Sequence, residues 1–582
     1  MFSRSYIAFI LAVFVFGGVV SAQDPTPMPA ATPVVDDKQN VAPENLKGVP
    51  PIAPGYRSDD RSLPDLGRVG VDMLDQRSLT LNEAIRLALE NNGDIEVTRK
   101  NVRIAEFDLR AAQGYYQPRL TGQTYYERAT VPNISFFSPE SNSVTSSSFG
   151  GNAGVRAYIP KFGTIFDVTA KSNQVGTDDL VSIISPQLRA DVTASVTQPL
   201  FRGRAFDQNR RTIEIAKRNL SLTDAQFRQR TIETIANVQR AYWDLAFALR
   251  NLQVQRDAVK DAKDQYEHNK RLVEEGQLAP IDITAAETQV ANFEQAVYEA
   301  LNTVTVAENN LKNLIAREKA AKIWSESITP VDPVDITPPD TTLKDALDTA
   351  LANRPELELN QVQRDINAID RRFFADQKKP QVDLVASYTS QGVGGSLNPN
   401  FNNPFCRGEN VDPAACAAAL QPLLNNVGGS GSAIVDVFSN KYPTVRVGVQ
   451  FNVPLFGDKT AGAQYGRSLV EGERIETQRQ QLEQNIQVEV RNTLQAVRTA
   501  EARLRAAAIA RENSVKQYES EQRKLDAGQS DIYKVLERQT ALTQARSSEL
   551  RAQTELNKSI ADLQRATGNS LKANNVVSLL RK

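Results

Sequence analysis

The sequence predicts a mainly α-helical protein with a small β region, written as a twofold internal repeat. In each half a long helical rod continues a membrane-type sheet that several chains must share. Three observations carry this. First, "VTQPLFRG" (Val196 to Gly203) returns 255 residues later as "FNVPLFGD" (Phe451 to Asp458), and "LTLNEAIRLALENNGDIE" (Leu79 to Glu96) returns as "TTLKDALDTALANRPELE" (Thr341 to Glu358) at an offset of 262. Second, no glycine or proline occurs from Ala205 to Glu275 or from Glu473 to Ala527. Third, the segments before each Pro-Leu-Phe triplet alternate apolar and polar residues, the period of a strand with one wet and one dry face.

In chain order, Arg4, the apolar run Ile7 to Val20 and Val20-Ser21-Ala22 read as a secretory signal peptide over 1–22. The alternative is a retained membrane anchor. No cysteine follows the cleavage site, so an N-terminal lipid anchor is not supported. Residues 23–77 are proline-rich and are expected to form a flexible or surface-wrapping extension. The first repeat, 78–325, opens with Thr80 capping an amphipathic helix; a second helix runs toward Pro118, which breaks it. Strands are expected at about 119–198, a long helix at about 204–275 and a returning helix at about 281–317. The second repeat, 338–570, has the same plan: Thr342 caps, Pro380 breaks, strands fall at about 381–453, and helices at about 459–527 and 531–567. Residues 571–582 form a tail.

The alternation is clean in both halves. Leu188, Ala190, Val192, Ala194 and Val196 oppose Arg189, Asp191, Thr193, Ser195 and Thr197; Val445, Val447, Val449, Phe451 and Val453 oppose Thr444, Arg446, Gly448, Gln450 and Asn452. A half-buried soluble sheet alternates in the same way, so the strands alone leave both readings open. The rods decide between them. A helix of ~70 residues is ~105 Å long, too long for a soluble core. Its seam of Ile232, Ile235, Val238, Tyr242, Leu245, Leu249 and Leu252 steps close to every 3.5 residues, the period of supercoiled helices. Rods with thin seams form coiled coils or the wall of a wet tube, and a membrane barrel continued by a helical tube uses both rods and strands. Each half has too few strands to close a barrel, and membrane sheets must close, so several chains share one. Pro199 and Pro454 mark where strand becomes rod, since a proline ends the ladder without owing it a donor.

Composition excludes other classes. Lys plus Arg (68) nearly balance Asp plus Glu (69), so no nucleic-acid partner is expected. With no glycine-rich phosphate loop after a strand, no Cys/His cluster and a single histidine, His268, the chain has no catalytic, cofactor-binding or metal residues to nominate. Cys406 and Cys416 lie in one Gly/Asn/Pro-rich loop and read as a short disulfide, with metal ligation a remote alternative. The rival to a channel is an exported periplasmic adaptor or structural coiled-coil protein, which would also be rich in long helices.

With the duplication, the "LTLNEAIRLALENN" opening, "TQPLFRG" and "VPLFGD", "AYWDLAFALRNL" in the first rod, and "DITAAETQVANFEQA" after its Gly-Gln turn, the chain resembles the TolC family of outer membrane efflux proteins over roughly Ser78 to Asn569. The resemblance implies a TolC-like homotrimer in the outer membrane, reaching into the periplasm. It implies four strands per protomer in one shared barrel, and a helical tunnel serving as exit duct of an efflux pump or of one-step protein secretion. Partners implied are a periplasmic adaptor, an inner-membrane transporter and outer-membrane lipid. It also implies that the turns at Gly276-Gln277 and Gly528-Gln529 are periplasmic tips where adaptors dock, although a plain helix-hairpin loop would look the same. Family members often place acids facing the bore just past each turn. Asp282 fits in the first half; Lys534 stands in the matching place in the second, with Glu537 one turn on, which would make a less electronegative constriction. A second departure is an extra alternating pair within 152–172, joined by "PKFG", expected either to add a hairpin to the barrel or to fold over its mouth.

Overall fold

Each half opens on a threonine-capped helix. In the computed structural model, which describes residues 67–133, 142–333, 339–401, 412, 414–415, 418–422, 428–429, 431–455 and 457–576, the Thr80 hydroxyl accepts from Glu83 N and the Thr342 hydroxyl from Asp345 N, both at 3.2 Å. These caps satisfy amides that a helix start leaves orphaned. The segment read as a signal peptide, most of the proline-rich extension, and Cys406 and Cys416 lie outside the described residues.

The first half contains β1 (Asp72–Leu79), α1 (Leu81–Asn91), α2 (Gly93–Gln113), β2 (Arg119–Pro132), β3 (Ser143–Ile159), β4 (Thr164–Thr177), β5 (Ile184–Pro199), α3 (Gln208–Glu274), α4 (Pro280–Ile315) and β6 (Glu326–Pro330). The second half contains α5 (Leu343–Asn353), α6 (Pro355–Gln377), β7 (Gln381–Leu397), α7 (Ser432–Phe438), β8 (Tyr442–Asn452), α8 (Lys459–Asp526), α9 (Ile532–Ala566) and the single turn α10 (Ser570–Ala573). The expected boundary at 77/78 falls inside β1, which pairs in parallel with β6. The final segment, expected to be a tail, turns Leu571 and Val576 onto the first-half core.

The rods α3 and α8 fold back against α4 and α9 as antiparallel hairpins. Their apolar seams are thin, so a thick core forms only where short elements add a second layer. Around the middle of α3, Ile235, Val238, Tyr242, Trp243 and Leu245 pack with Ala84, Ile85 and Ala88 of α1 and with Val304, Leu311 and Ile315 of α4. Toward the turn the α3 seam shrinks to Ala258 and Ala262 against Phe293, which lets the helices run close together.

The strands form one antiparallel sheet in the order β2-β3-β4-β5-β7-β8. This corrects the expectation of four strands per protomer in the shared sheet: among the described residues that sheet has six, because the extra alternating segments lie within β3 and β4, paired from Ser146↔Thr177 to Ile159↔Thr164 between β2 and β5. Their turn, Pro160 to Gly163, closes tightly because Gly163 takes φ +70°, a conformation that costs glycine nothing. The halves join through β5 and β7, paired from Ile184↔Leu397 to Pro199↔Asp383.

Candidate functional site

Residues paired across an antiparallel ladder point to the same side of the sheet, so the register sorts the side chains into faces. One row across all six strands reads Leu120, Val155, Val168, Ala194, Tyr388, Val445; the next reads Thr121, Gly154, Thr169, Thr193, Thr389, Thr444. Away from Ser390, Gly392 and Gly394 of β7, which are buried, the apolar face is open to its surroundings, with Leu120 78%, Val168 48% and Val445 69% exposed. The polar face is knit by side chains: Arg156 Nε donates to Asp167 at 2.9 Å, and the Thr193 and Thr389 hydroxyls lie 2.9 Å apart. At the two edges, β2 and β8 each pair on one side only.

At the strand-to-rod junction β5 ends on Pro199, and β8 ends at Asn452, two residues short of Pro454. Gly203 (φ +81°) and Gly457 (φ +77°) then turn the chain, and Asp207 and Asp458 cap α3 and α8 by accepting from Arg210 N (2.8 Å) and Ala461 N (2.9 Å). In the first half the Arg210 guanidinium also donates to the carbonyls of Gly203, Arg204 and Ala205 at 2.8–2.9 Å. Buried Asp376 accepts from Gly203 N and from Lys379 Nζ, both at 2.6 Å, and Arg211 lies 5.1 and 5.5 Å from the rings of Phe373 and Phe374. This clamp ties the end of α6 to the start of α3. Sequence reasoning missed Arg210, Arg211 and Asp376, because the clamp does not recur in the second half, where Ala461 and Gly462 stand after the cap, and a repeat comparison could not flag it.

At the far ends of the rods, Gly276 (φ +73°) and Gly528 (φ +68°) close α3 and α8 identically. Gly276 N donates to Val273 O (3.0 Å) and Gln277 N to Leu272 O (2.8 Å); Gly528 N donates to Leu525 O (2.9 Å) and Gln529 N to Lys524 O (2.8 Å). This is the Schellman arrangement, which needs a left-handed residue. Asp282 sits in the first turn of α4, where its carboxylate accepts from Ala279 N at 3.0 Å. Lys534, in the first turn of α9, donates to the capping Asp531 at 2.9 Å; these hydrogen bonds hold Asp531 below the usual carboxylate range and Lys534 above the usual lysine range. Glu537 is exposed on α9. Within one protomer, among the described residues, no hydrogen bond or ion pair joins Asp282 to Lys534 or Glu537. The two hairpins do meet nearby, through His268 Nε2 and Asp526 Oδ1 at 3.3 Å and through Gln289 and Thr540 at 2.9 Å. Among the described residues there is no group of three or more His, Cys, Asp or Glu that could hold a metal, and no helix is long and apolar enough to cross a membrane.

The model of the outer membrane efflux protein family matches residues 156–317 and 346–569, more than half of the chain. The chain belongs to that family. No curated protein matches it by sequence. Among solved structures, the Campylobacter jejuni CmeC outer membrane channel is similar with a TM-score of 0.58 at 16% identity, covering 89% of this chain and 94% of that one. The open state of the Neisseria gonorrhoeae MtrE outer membrane channel gives 0.56 at 16% identity over 88% and 94%. The Vibrio cholerae outer membrane protein VceC gives 0.56 at 14% identity over 84% and 96%. As an outer membrane efflux protein the chain is a channel rather than an enzyme, and its place is the outer membrane.

Proposed function

We propose that this outer membrane efflux protein is the exit duct of a tripartite pump or of a one-step secretion system. Three copies pair the β2 edge of one with the β8 edge of the next and close a single barrel. The observation that carries this is one sheet, apolar and exposed on one side and polar on the other, open at both edges, and running through capped junctions into rods of 67 and 68 residues. In hydrocarbon no edge can remain unpaired, so the sheet requires partners of its own kind, and rods of ~100 Å far outreach a ~30 Å bilayer core.

Six strands per copy make eighteen in the trimer, against twelve if only four were supplied. At ~4.8 Å between strands and a tilt of ~40°, the barrel measures ~36 Å between backbones, about one and a half times the twelve-strand width. The tips at Gly276-Gln277 and Gly528-Gln529 are where a periplasmic adaptor docks, and Asp282, Lys534 and Glu537 of the three copies line the closed end. Residues 1–22 are the export signal that is cleaved. An inner-membrane transporter supplies the energy that moves the cargo.

Planar-bilayer recording of the purified protein tests the reading. Discrete conductance steps are expected, whereas a detergent-independent monomer without conductance would favour the adaptor or coiled-coil alternative. Replacing Lys534→Glu makes the entrance ring more acidic, so block by multivalent cations should strengthen relative to the parent. An unchanged block would remove Lys534 from the constriction.

A further inference from the structure

Between β7 and β8 the chain leaves the sheet and returns through α7, which lies on one particular face. A Cβ built on Gly392 would come within 1.8 Å of Ala433 O, and one on Gly394 within 2.5 Å of Gly429 O. Ser390 Oγ donates to Val437 O at 2.7 Å, and Tyr388 OH to Asn440 Oδ1 at 2.6 Å. These four β7 residues pair with Leu188, Ala190, Val192 and Ala194. They therefore belong to the apolar face, and α7 lies on the outside of the sheet rather than on the polar face.

The helix "SAIVDVF" is apolar almost all round. Ala433 and Val437 are buried against the sheet, and its one carboxylate, Asp436, is buried and paired with Lys441 at 3.2 Å. Val435 is 65% exposed, while Ile434 and Phe438, 52% and 83% exposed, line an open groove beside Leu188, Ala190 and Val192 on the apolar face of the sheet. Helices of this kind are found away from water. Height along the sheet says what surrounds it. Gly392 lies eleven residues up β7 from Gln381 at the junction end. At ~3.4 Å per residue and ~40° tilt that is a rise of about 29 Å, close to the ~30 Å hydrocarbon thickness. Lys441, whose ammonium lies 5.2 Å from the Tyr442 ring, supplies the cation and aromatic pair that favours the acyl–headgroup boundary.

We infer that α7 is an interfacial anchor, with Ile434, Val435 and Phe438 inserted at the acyl–headgroup boundary of the outer leaflet, continuous with the lipid-facing rows of the barrel. This rests on the membrane placement of the sheet proposed above. The anchor holds Ser432–Phe438 against the outer wall of the sheet.

The test uses the full chain with Phe438→Trp, and Val435→Trp as a second position should the first fail to assemble, reconstituted in vesicles containing brominated phosphatidylcholine. Val447→Trp on the lipid-facing row and Val488→Trp on α8 are the lipid and aqueous controls; the native Trp243 and Trp324 add a constant background. A roughly twofold loss of the added emission is expected at 438, strongest with bromines near the headgroup, as for a side chain at the interface. Quenching at 447 but not at 438, with 438 open to aqueous acrylamide, would overturn the inference and leave the channel reading standing. Shielding of 438 from both quenchers would overturn it in favour of a protein cover. Loss of quenching at 447 itself would remove the membrane placement, and the anchor with it.

Discussion

Glu308 is fully buried yet well supplied with donors. It accepts from Arg68 Nη1 and from Ile328 N, both at 2.8 Å, and its other neighbour, Lys312 Nζ, stands 3.4 Å away. Removing the carboxylate takes the nearest counter-charge from two buried cations, so Glu308→Ala should cost roughly 3–5 kcal/mol in denaturant unfolding. Lys312→Met should cost far less, because Glu308 keeps Arg68 and the Ile328 amide. Burial holds the Lys312 ammonium below the ordinary lysine value, with Glu308 opposing. Unfolding therefore takes up a proton, and this group's contribution to stability rises with pH up to the ordinary value of 10.5. The Lys312→Met variant should lose that alkaline rise; an identical pH profile would show that Lys312 is not strained by its burial. Sequence could not reveal this cluster. Arg68 stands in the segment read as a proline-rich extension, 240 residues from its partner.

Among the elements, the β3–β4 hairpin most changes what the molecule is. Its alternation was visible in the sequence, but alternation says only that a strand has two unlike faces, and where that strand pairs depends on neighbours far along the chain. The order β2-β3-β4-β5 alternates in direction, so deleting residues 143–177 leaves β2 and β5 antiparallel and able to pair. The deletion variant should still assemble as a trimer with its helical content intact and a narrower barrel, measured by circular dichroism and native mass spectrometry; failure to trimerise would show the hairpin is needed for closure. At its tip, Gly163→Val would force a β-branched residue to φ +70° with its Cβ 2.9 Å from Gly203 O. That should cost about 1–2 kcal/mol or more and loosen the clamp around Arg210, seen as a lower melting temperature of the trimer. The rods were legible because freedom from glycine and proline and a spacing near 3.5 are local properties. α7 was not: seven residues inside a long Gly/Asn/Pro-rich connection carry too little periodicity to stand out, and only the glycines it packs on, Gly392 and Gly394, hinted that something approaches β7 closely.

For the whole molecule, the twofold repeat explains most of the architecture, and the departures from it are the informative parts. Both halves write cap, break, strand, junction, rod, left-handed glycine and returning helix in the same order, so the fold class was readable from one chain. What the repeat could not carry is asymmetry: among the described residues, four strands of the six-stranded sheet come from the first half against two from the second, the clamp stands at one junction only, and Asp282 has a lysine at the matching position of the other tip. These follow from pairings between distant segments and between copies. The most direct test is the structure of the full chain by cryo-electron microscopy in lipid nanodiscs, counting strands at the membrane level. Three copies sharing eighteen strands around a lumen, at ~36 Å between backbones, are expected; a monomer with the sheet buried in a dry core, or a closed barrel lacking β3 and β4, would contradict it.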